Sequence, residues 1–365
     1  MTACTLLASG PAASAAVSPP ALRHCAAPWG AWSSFHTPLL AESGRVIDRS
    51  RPDHRTVSEA QAYALFFALV ANDPQRFDAI LRWTTNNLAQ GALERHLPAW
   101  LWGLSGDSQW TVVDPNPASD ADLWLSYTLA QAGRLWKRES YFEIGQQLGQ
   151  QILDRETARL SERHLALLPG PKGFEPAPGV FRLNPSYLPL PLLRWLSGPE
   201  AFAEQRPAWQ RVLDHSLELL DRSAPQGLAP EWVELGRGGA LQIDESPPDP
   251  LQRFNAIRVY LWIGLTSAQD PQRTPLLRRY RPILDRISRA DASSASPGRW
   301  AALLPFTVAA GDESLSTLLR DRLTAMPVEP LAYYDQALTL FAFGFLDGRF
   351  AFDRDGRLLT CWARP

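Results

Sequence analysis

The chain has 365 residues, 45% of them hydrophobic, and its 36 Lys and Arg against 38 Asp and Glu give a formal charge of -2. That length fits two average domains or one large repetitive fold, and the hydrophobic share supplies ample material for a core. A near-neutral balance with no run rich in Lys or Arg excludes a nucleic-acid-binding surface, and no apolar stretch reaches the ~18 residues of a membrane span.

Residues 1–16 are small and apolar and contain Ala13-Ser14-Ala15, an export-type cleavage pattern without the usual basic segment before it. They read as a leader remnant ahead of a single domain over 17–365, and a periplasmic or secreted protein is expected. Of the three cysteines, Cys4 would leave with the leader, so Cys25 and Cys361 make an even pair near the two mature ends. A disulfide between them is expected in an oxidising compartment. The six histidines are scattered and no Cys or His spacing fits a metal, so neither a metal nor another cofactor is expected.

Trp29 to Asp53, rich in Pro, Gly and Ser, reads as loop with short extended pieces. Thr56-Val57-Ser58-Glu59 then opens a helix, apolar nearly all round, that runs to Val70 and stops at Asn72-Asp73-Pro74. A second helix spans about Pro74 to Ala89. Residues 97–117 form a long connection, with a hint of strand at 110–113 and with Trp100 and Trp102 inside it. Connections of that length in a compact fold are usually functional. Ser119 and Asp120 open a helix to about Trp136, and another follows from Tyr141 to about Arg155. Residues 166–186 are loop, leading into an apolar 188–196. Helical patterns return at 204–221, 252–265, 274–288, 298–309, 312–324 and 330–345, with a second hint of strand at 228–235. About eleven helices joined in pairs, without βαβ alternation, predict an all-α protein and exclude a parallel sheet. No 30–45-residue repeat points to a solenoid. The pattern favours a double ring, an α/α toroid whose buried inner helices bring their N-terminal ends to one face.

Two carboxylates stand at such ends. Thr56-x-x-Glu59 has the spacing of a capping box, and a helix N-terminus favours an ionised Glu by roughly 0.3–1 kcal/mol. For Glu59 to serve as a general acid, desolvation or a neighbouring anion such as Asp120 must oppose that. Ser119 reads as an N-cap and Asp122 as its capping-box acid, which leaves Asp120 free for chemistry or for simple dipole compensation. Asp48, Asp53 and Asp114 read as turn acids. No nucleophilic Ser or Cys with a base, and no phosphate-binding Gly loop, is recognisable. The fourteen tryptophans suit either sugar stacking or a Trp-rich core. Paired carboxylates acting on a polymer gripped by aromatics is the surviving enzymatic reading.

Ala118-Ser119-Asp120-Ala121-Asp122, continued by Leu129, Ala132 and Trp136, resembles the signature of glycoside hydrolase family 8, with Leu125 and Ser126 as small departures. Gly44-Arg-Val-Ile-Asp48, Ser58-Glu59-Ala-Gln-Ala-Tyr63, Trp83-Thr-Thr-Asn-Asn-Leu88, Leu97-Pro-Ala-Trp-Leu-Trp-Gly103, Asn184-Pro-Ser-Tyr-Leu-Pro189 and Ala256-Ile-Arg-Val-Tyr-Leu-Trp262 are similar to the branch found in bacterial cellulose-synthesis operons. The resemblance runs from about residue 25 to the C-terminus. It implies an (α/α)6 barrel that hydrolyses β-1,4-glucan with inversion. Glu59 falls on the proton donor and Asp120 on the aspartate that contacts the distorted sugar. Tyr187 and Arg258 fall on positions that help hold the attacking water. Trp100, Trp102 and Trp124 are sugar-stacking candidates, and for Trp124 a core role fits equally.

One departure concerns the base. Many members carry aspartate in a Tyr-Asp-Ala context where this chain has Phe254-Asn255-Ala256. A neutral amide orients water but does not accept its proton. Asp120, Asp244, Glu245, Asp249 and Asp335 are the alternatives, and spacing does not choose among them. An inverting pair should stand about 6.5–9.5 Å apart. The resemblance implies an endo-β-1,4-glucanase of cellulose export, monomeric, with a β-1,4-glucan chain as partner and the cellulose synthase export complex as a further one. The alternatives are another β-linked glycan, such as chitosan or xylan, or a weakly active glucan-binding protein.

Overall fold

In the computed structural model, residues 22, 25, 28–106 and 108–363 are described; Cys4 and the leader reading for 1–16 lie outside them. Helices numbered in chain order fall into two layers. The inner layer is α2 (Ser58–Val70), α4 (Ser119–Trp136), α6 (Leu190–Leu196), α8 (Ile257–Leu265), α11 (Pro297–Ala309) and α13 (Tyr333–Leu346). The outer layer is α1 (Gly30–Leu39), α3 (Pro74–Leu88), α5 (Glu139–Arg155), α7 (Arg206–Arg222), α9 (Arg273–Arg279), α10 (Ile283–Arg289) and α12 (Glu313–Ala325). Each inner helix packs on the next, α2 on α4, then α6, α8, α11, α13 and back to α2, so the ring closes. Outer helices sit against their inner partners, and α1 completes the outer ring against α13 and α2. This is the (α/α)6 barrel.

The layering follows from the side chains. Inner helices are apolar on every face because they are covered both by the barrel interior and by an outer helix; twelve of the thirteen residues of α2 are buried. Outer helices such as α3 and α7 bury one stripe only. Aromatic rings fill the barrel axis, where Phe341 meets Tyr63 at 5.0 Å, Trp124 at 5.0 Å and Trp262 at 5.3 Å. Eight of the fourteen tryptophans are buried, so most of the indole surplus serves the core. Close helix approach needs missing side chains: a Cβ on Gly145 of α5 would lie 2.8 Å from the Ser126 carbonyl oxygen of α4.

Two of the departures from the sequence expectations concern whole helices. Residues 30–39 are α1, not loop; its Ser, Thr, Gly and Pro are poor helix formers, but Trp32, Phe35 and Leu39 share one buried face. The expected 274–288 helix is two, because Pro282 has no amide to donate and disfavours helical backbone at Arg281.

Short antiparallel strands decorate the loops. β1 (Thr56–Val57), β2 (Leu101–Leu104) and β3 (Trp110–Asp114) form one sheet at the entry of α2. β4 (Thr157–Arg159) pairs with β5 (Leu165–Leu167), β7 (Trp232–Leu235) lies between β6 (Phe181–Leu183) and β8 (Leu241–Asp244) and pairs with both, and β9 (Phe350–Phe352) pairs with β10 (Leu358–Thr360). Cys25 and Cys361 are disulfide-bonded with Cα atoms 5.3 Å apart, tying the segment before α1 to the C-terminal strands. No helix among the described residues is long and apolar enough to cross a membrane.

Candidate active site

Arg258 is the centre of the site. It is the single charged residue of α8 and is 1% exposed, and a buried guanidinium persists only where it is paired. Its Nη1 donates to Glu59 Oε2, to Asp120 Oδ2 at 2.8 Å and to the Tyr63 hydroxyl at 2.9 Å. Its Nη2 donates to Asn255 Oδ1 at 2.9 Å and Ser186 Oγ at 3.3 Å, and the Tyr187 ring lies 5.4 Å from the guanidinium carbon. The N-terminal ends of α2, α4 and α8 and the turn before α6 therefore meet at one point, as the double ring requires.

Glu59 does not cap its helix. Thr56 lies in β1, where its hydroxyl donates to the Val46 carbonyl at 2.6 Å and accepts from Arg45 Nε at 2.8 Å. The helix therefore starts at Ser58, and Glu59 is free to face Arg258. The Tyr333 hydroxyl donates to Glu59 Oε1 at 2.8 Å. Burial raises the Glu59 carboxyl from 4.5 to about 7; Arg258 opposes this, Asp120 reinforces it, and the Tyr333 hydrogen bond lowers it. At neutral pH Glu59 is thus part protonated, while its side chain keeps 13% of its surface. That combination suits a general acid.

Asp120 spends Oδ2 on Arg258 and Oδ1 on the Ala121 amide at 2.8 Å, which fixes it beside Glu59. The reading of Ser119 and Asp122 as a cap is corrected. Ser119 is already helical and its amide goes to the Pro169 carbonyl at 3.0 Å, a tertiary contact that shifts the start of the helix. Asp122 and Glu156 are both 0% exposed, and no donor reaches any of their four oxygens. The two carboxyls meet each other, and burial first, then the Asp120 charge at Asp122 and the Asp122 charge at Glu156, pushes both well above the usual range. A buried pair so placed shares a proton.

At the position of the missing base, Asn255 gives its side-chain oxygen to Arg258, and a neutral amide does not take a proton from water. Asp335 accepts from Ser296 Oγ at 2.7 Å and from the Gly298 amide, so it anchors the start of α11. Asp244 and Asp249 accept the amides of Ser246 and Leu251 in local turns, and Glu245 is exposed. Glu231, which sequence reasoning passed over, touches Asn255, with both carboxylate oxygens 3.0 Å from the Asn255 backbone nitrogen. No local pattern marks it. Tyr63 was legible as Glu59 plus one turn, whereas Tyr333 and Ser186 become visible only when the ring closes.

Beside Tyr333 a groove of about 420 Å³ is lined by Trp100, Phe254, Tyr334, Asp48 and Arg55, among others. Phe254 is 48% exposed and stacks on Tyr334 at 4.3 Å, so Trp100 and Phe254 offer apolar faces to a chain in the groove. Trp102 is packed instead against Trp83 at 5.4 Å, Trp110 at 5.2 Å and the Arg45 guanidinium at 4.2 Å. Trp124 is 1% exposed in the barrel core. It has no face for a sugar, and its stacking candidacy is withdrawn. Among the described residues no group of His, Cys, Asp and Glu is arranged to hold a metal ion.

A family model described as glycosyl hydrolases family 8 matches residues 7–348. An endoglucanase of Xanthomonas axonopodis pv. citri (strain 306) is 39% identical over 100% of this chain and 98% of its own length. An endoglucanase of Escherichia coli (strain K12) is 37% identical over 92% of each chain. Among solved structures, the endo-1,4-D-glucanase from Vibrio fischeri ES114 is similar with a TM-score of 0.81 and 35% identity, covering 92% of this chain and 100% of its own. With the closed double ring and the carboxylates gathered on Arg258, these matches show that the chain belongs to glycosyl hydrolase family 8.

Proposed function

We propose that this protein is an endo-β-1,4-glucanase that hydrolyses cellulose, or a nascent cellulose chain, with inversion at the anomeric carbon. The carrying observation is Glu59, a carboxyl held near half-protonation at about 7 by burial, beside a groove walled by Trp100 and Phe254. The endoglucanase relatives support β-1,4-glucan as the substrate. In this reading Glu59 protonates the leaving oxygen and Asp120 holds the sugar at the cleavage point. Arg258 locks both, and Tyr187 and Asn255 orient the water. The Cys25–Cys361 bridge supports a periplasmic or secreted protein. A monomer working on the glucan as it leaves a synthase export complex fits that location.

The test is digestion of carboxymethylcellulose. An endo-acting enzyme drops viscosity steeply for few reducing ends released, and chitosan and xylan in parallel assays should be cut far more slowly. Equal rates on chitosan or xylan would overturn the substrate. Binding without chain shortening would favour the second reading, a glucan-binding protein, which rests on a neutral amide, Asn255, at the base position.

A further inference from the structure

Hydrolysis needs somewhere for the water's proton to go, and the residues around Arg258 narrow the choice. Asp120 Oδ2 and Glu59 Oε2 both touch the same nitrogen, Arg258 Nη1. They are therefore no more than two hydrogen bonds apart, short of the ~6.5–9.5 Å that leaves room for water between acid and base. Asp335 sits two residues from Tyr333, the donor to Glu59, and is engaged at the start of α11. Asn255 is a neutral amide and not a base.

We infer that Glu231 is the general base; this rests on the reading of the protein as an inverting glucanase. Glu59 binds Arg258 through Nη1, Asn255 binds it through Nη2, and Glu231 accepts the backbone amide of Asn255. Acid and base are thus linked through Arg258 and Asn255. Among the described residues one donor, the Asn255 amide, reaches the two Glu231 oxygens, so lone pairs remain on both. The residue is 7% exposed.

The position is built. The buried Arg253 donates to the carbonyls of Ala229 at 2.7 Å, Glu245 at 2.7 Å and Pro247 at 2.9 Å. It thereby ties the segment before Glu231, the 245–247 loop and the segment before Asn255 into one unit. Tyr334 closes that unit by donating to the Phe254 carbonyl at 2.9 Å. An Asn255 side-chain N–H then donates to the water's oxygen and turns one water hydrogen toward Glu231. As the water oxygen bonds to the anomeric carbon, the bond to the leaving oxygen breaks. That oxygen takes the Glu59 proton, and the water's proton passes to the Glu231 carboxylate. Solvent afterwards returns one proton to Glu59 and removes one from Glu231, so the cycle balances with one water consumed.

The test is Glu231→Gln, which keeps an acceptor for the Asn255 amide, followed by Glu231→Gln/Asn255→Asp, which returns a carboxylate to the site. A general base contributes about 10²–10⁴-fold. The single variant should lose at least about 100-fold in kcat with little change in KM, and the double variant should regain about tenfold or more of that. A single variant within a few-fold of the parent overturns the assignment. So does a double variant that melts like the parent yet stays as inactive as the single, since Glu231 would then only position Asn255. Independently of those variants, a crystal of Glu59→Gln with bound cello-oligosaccharide should show a water between Asn255 Nδ2 and a Glu231 oxygen, facing the anomeric carbon. A water held by a different carboxylate overturns the proposal. Failure of the parent to cut any glucan would instead remove the underlying function.

Discussion

Glu59→Gln separates the catalytic use of this carboxyl from its cost to the fold. Its pKa is about 7 in the folded chain against 4.5 for the unperturbed group. At 1.36 kcal/mol per unit, ionising it inside the barrel costs about 3 kcal/mol. The folded state holds the proton more tightly than the unfolded state, so this stability is fully present below about pH 4.5 and is lost as pH rises towards 7. Gln stays neutral throughout. At pH 8 the variant should therefore be more stable than the parent by about 3 kcal/mol, or roughly 4 °C for a chain of this length, and near equal to it at pH 4. Activity should fall about 10²–10⁴-fold. Calorimetry at the two pH values with reducing-end release checks both halves. A variant less stable than the parent at pH 8 would sink this reading, since the Arg258 ion pair would then outweigh burial and Glu59 would be a structural anion.

Tyr333→Phe removes a hydrogen bond that holds the Glu59 pKa down, so the alkaline limb of kcat/KM should move to higher pH; an unmoved or lowered limb counts against the assignment of the acid. Asp122→Asn should leave the fold less sensitive to rising pH, because one of two carboxyls raised by burial no longer has to ionise; urea titrations that show the same decline in both proteins would argue against a shared proton. The tryptophans should divide by burial. Trp124→Ala should cost about 3–5 kcal/mol of stability, whereas Trp100→Ala should leave melting nearly unchanged and raise KM severalfold, and thermal melts with carboxymethylcellulose kinetics decide between these outcomes.

Much of the fold was legible because inner and outer helices differ in pattern: one set is apolar all round and the other striped, and that contrast alone calls for a double ring. α1 was not legible, because the packing of Trp32 and Phe35 outweighs weak local propensity. At the site, Glu59 and Asp120 stood out as acids at helix starts, but the local grammar placed Glu59 and Asp122 in capping boxes. Tertiary partners decide the matter: Thr56 is drawn into a strand, and Asp122 is turned inward to Glu156. Glu231 carries no helical or motif signal, because its relevance arises only when a loop 24 residues before Asn255 folds back on it.

The stereochemistry of the first product is the decisive measurement. Proton NMR of cello-oligosaccharide cleavage, read before mutarotation, should show the new reducing end appearing as the α-anomer, which requires water to attack from the face opposite Glu59. Initial release of the β-anomer would mean a covalent intermediate and a second carboxyl at retaining distance, and would contradict the roles of Asp120 as sugar contact and Glu231 as base while leaving Glu59 as acid.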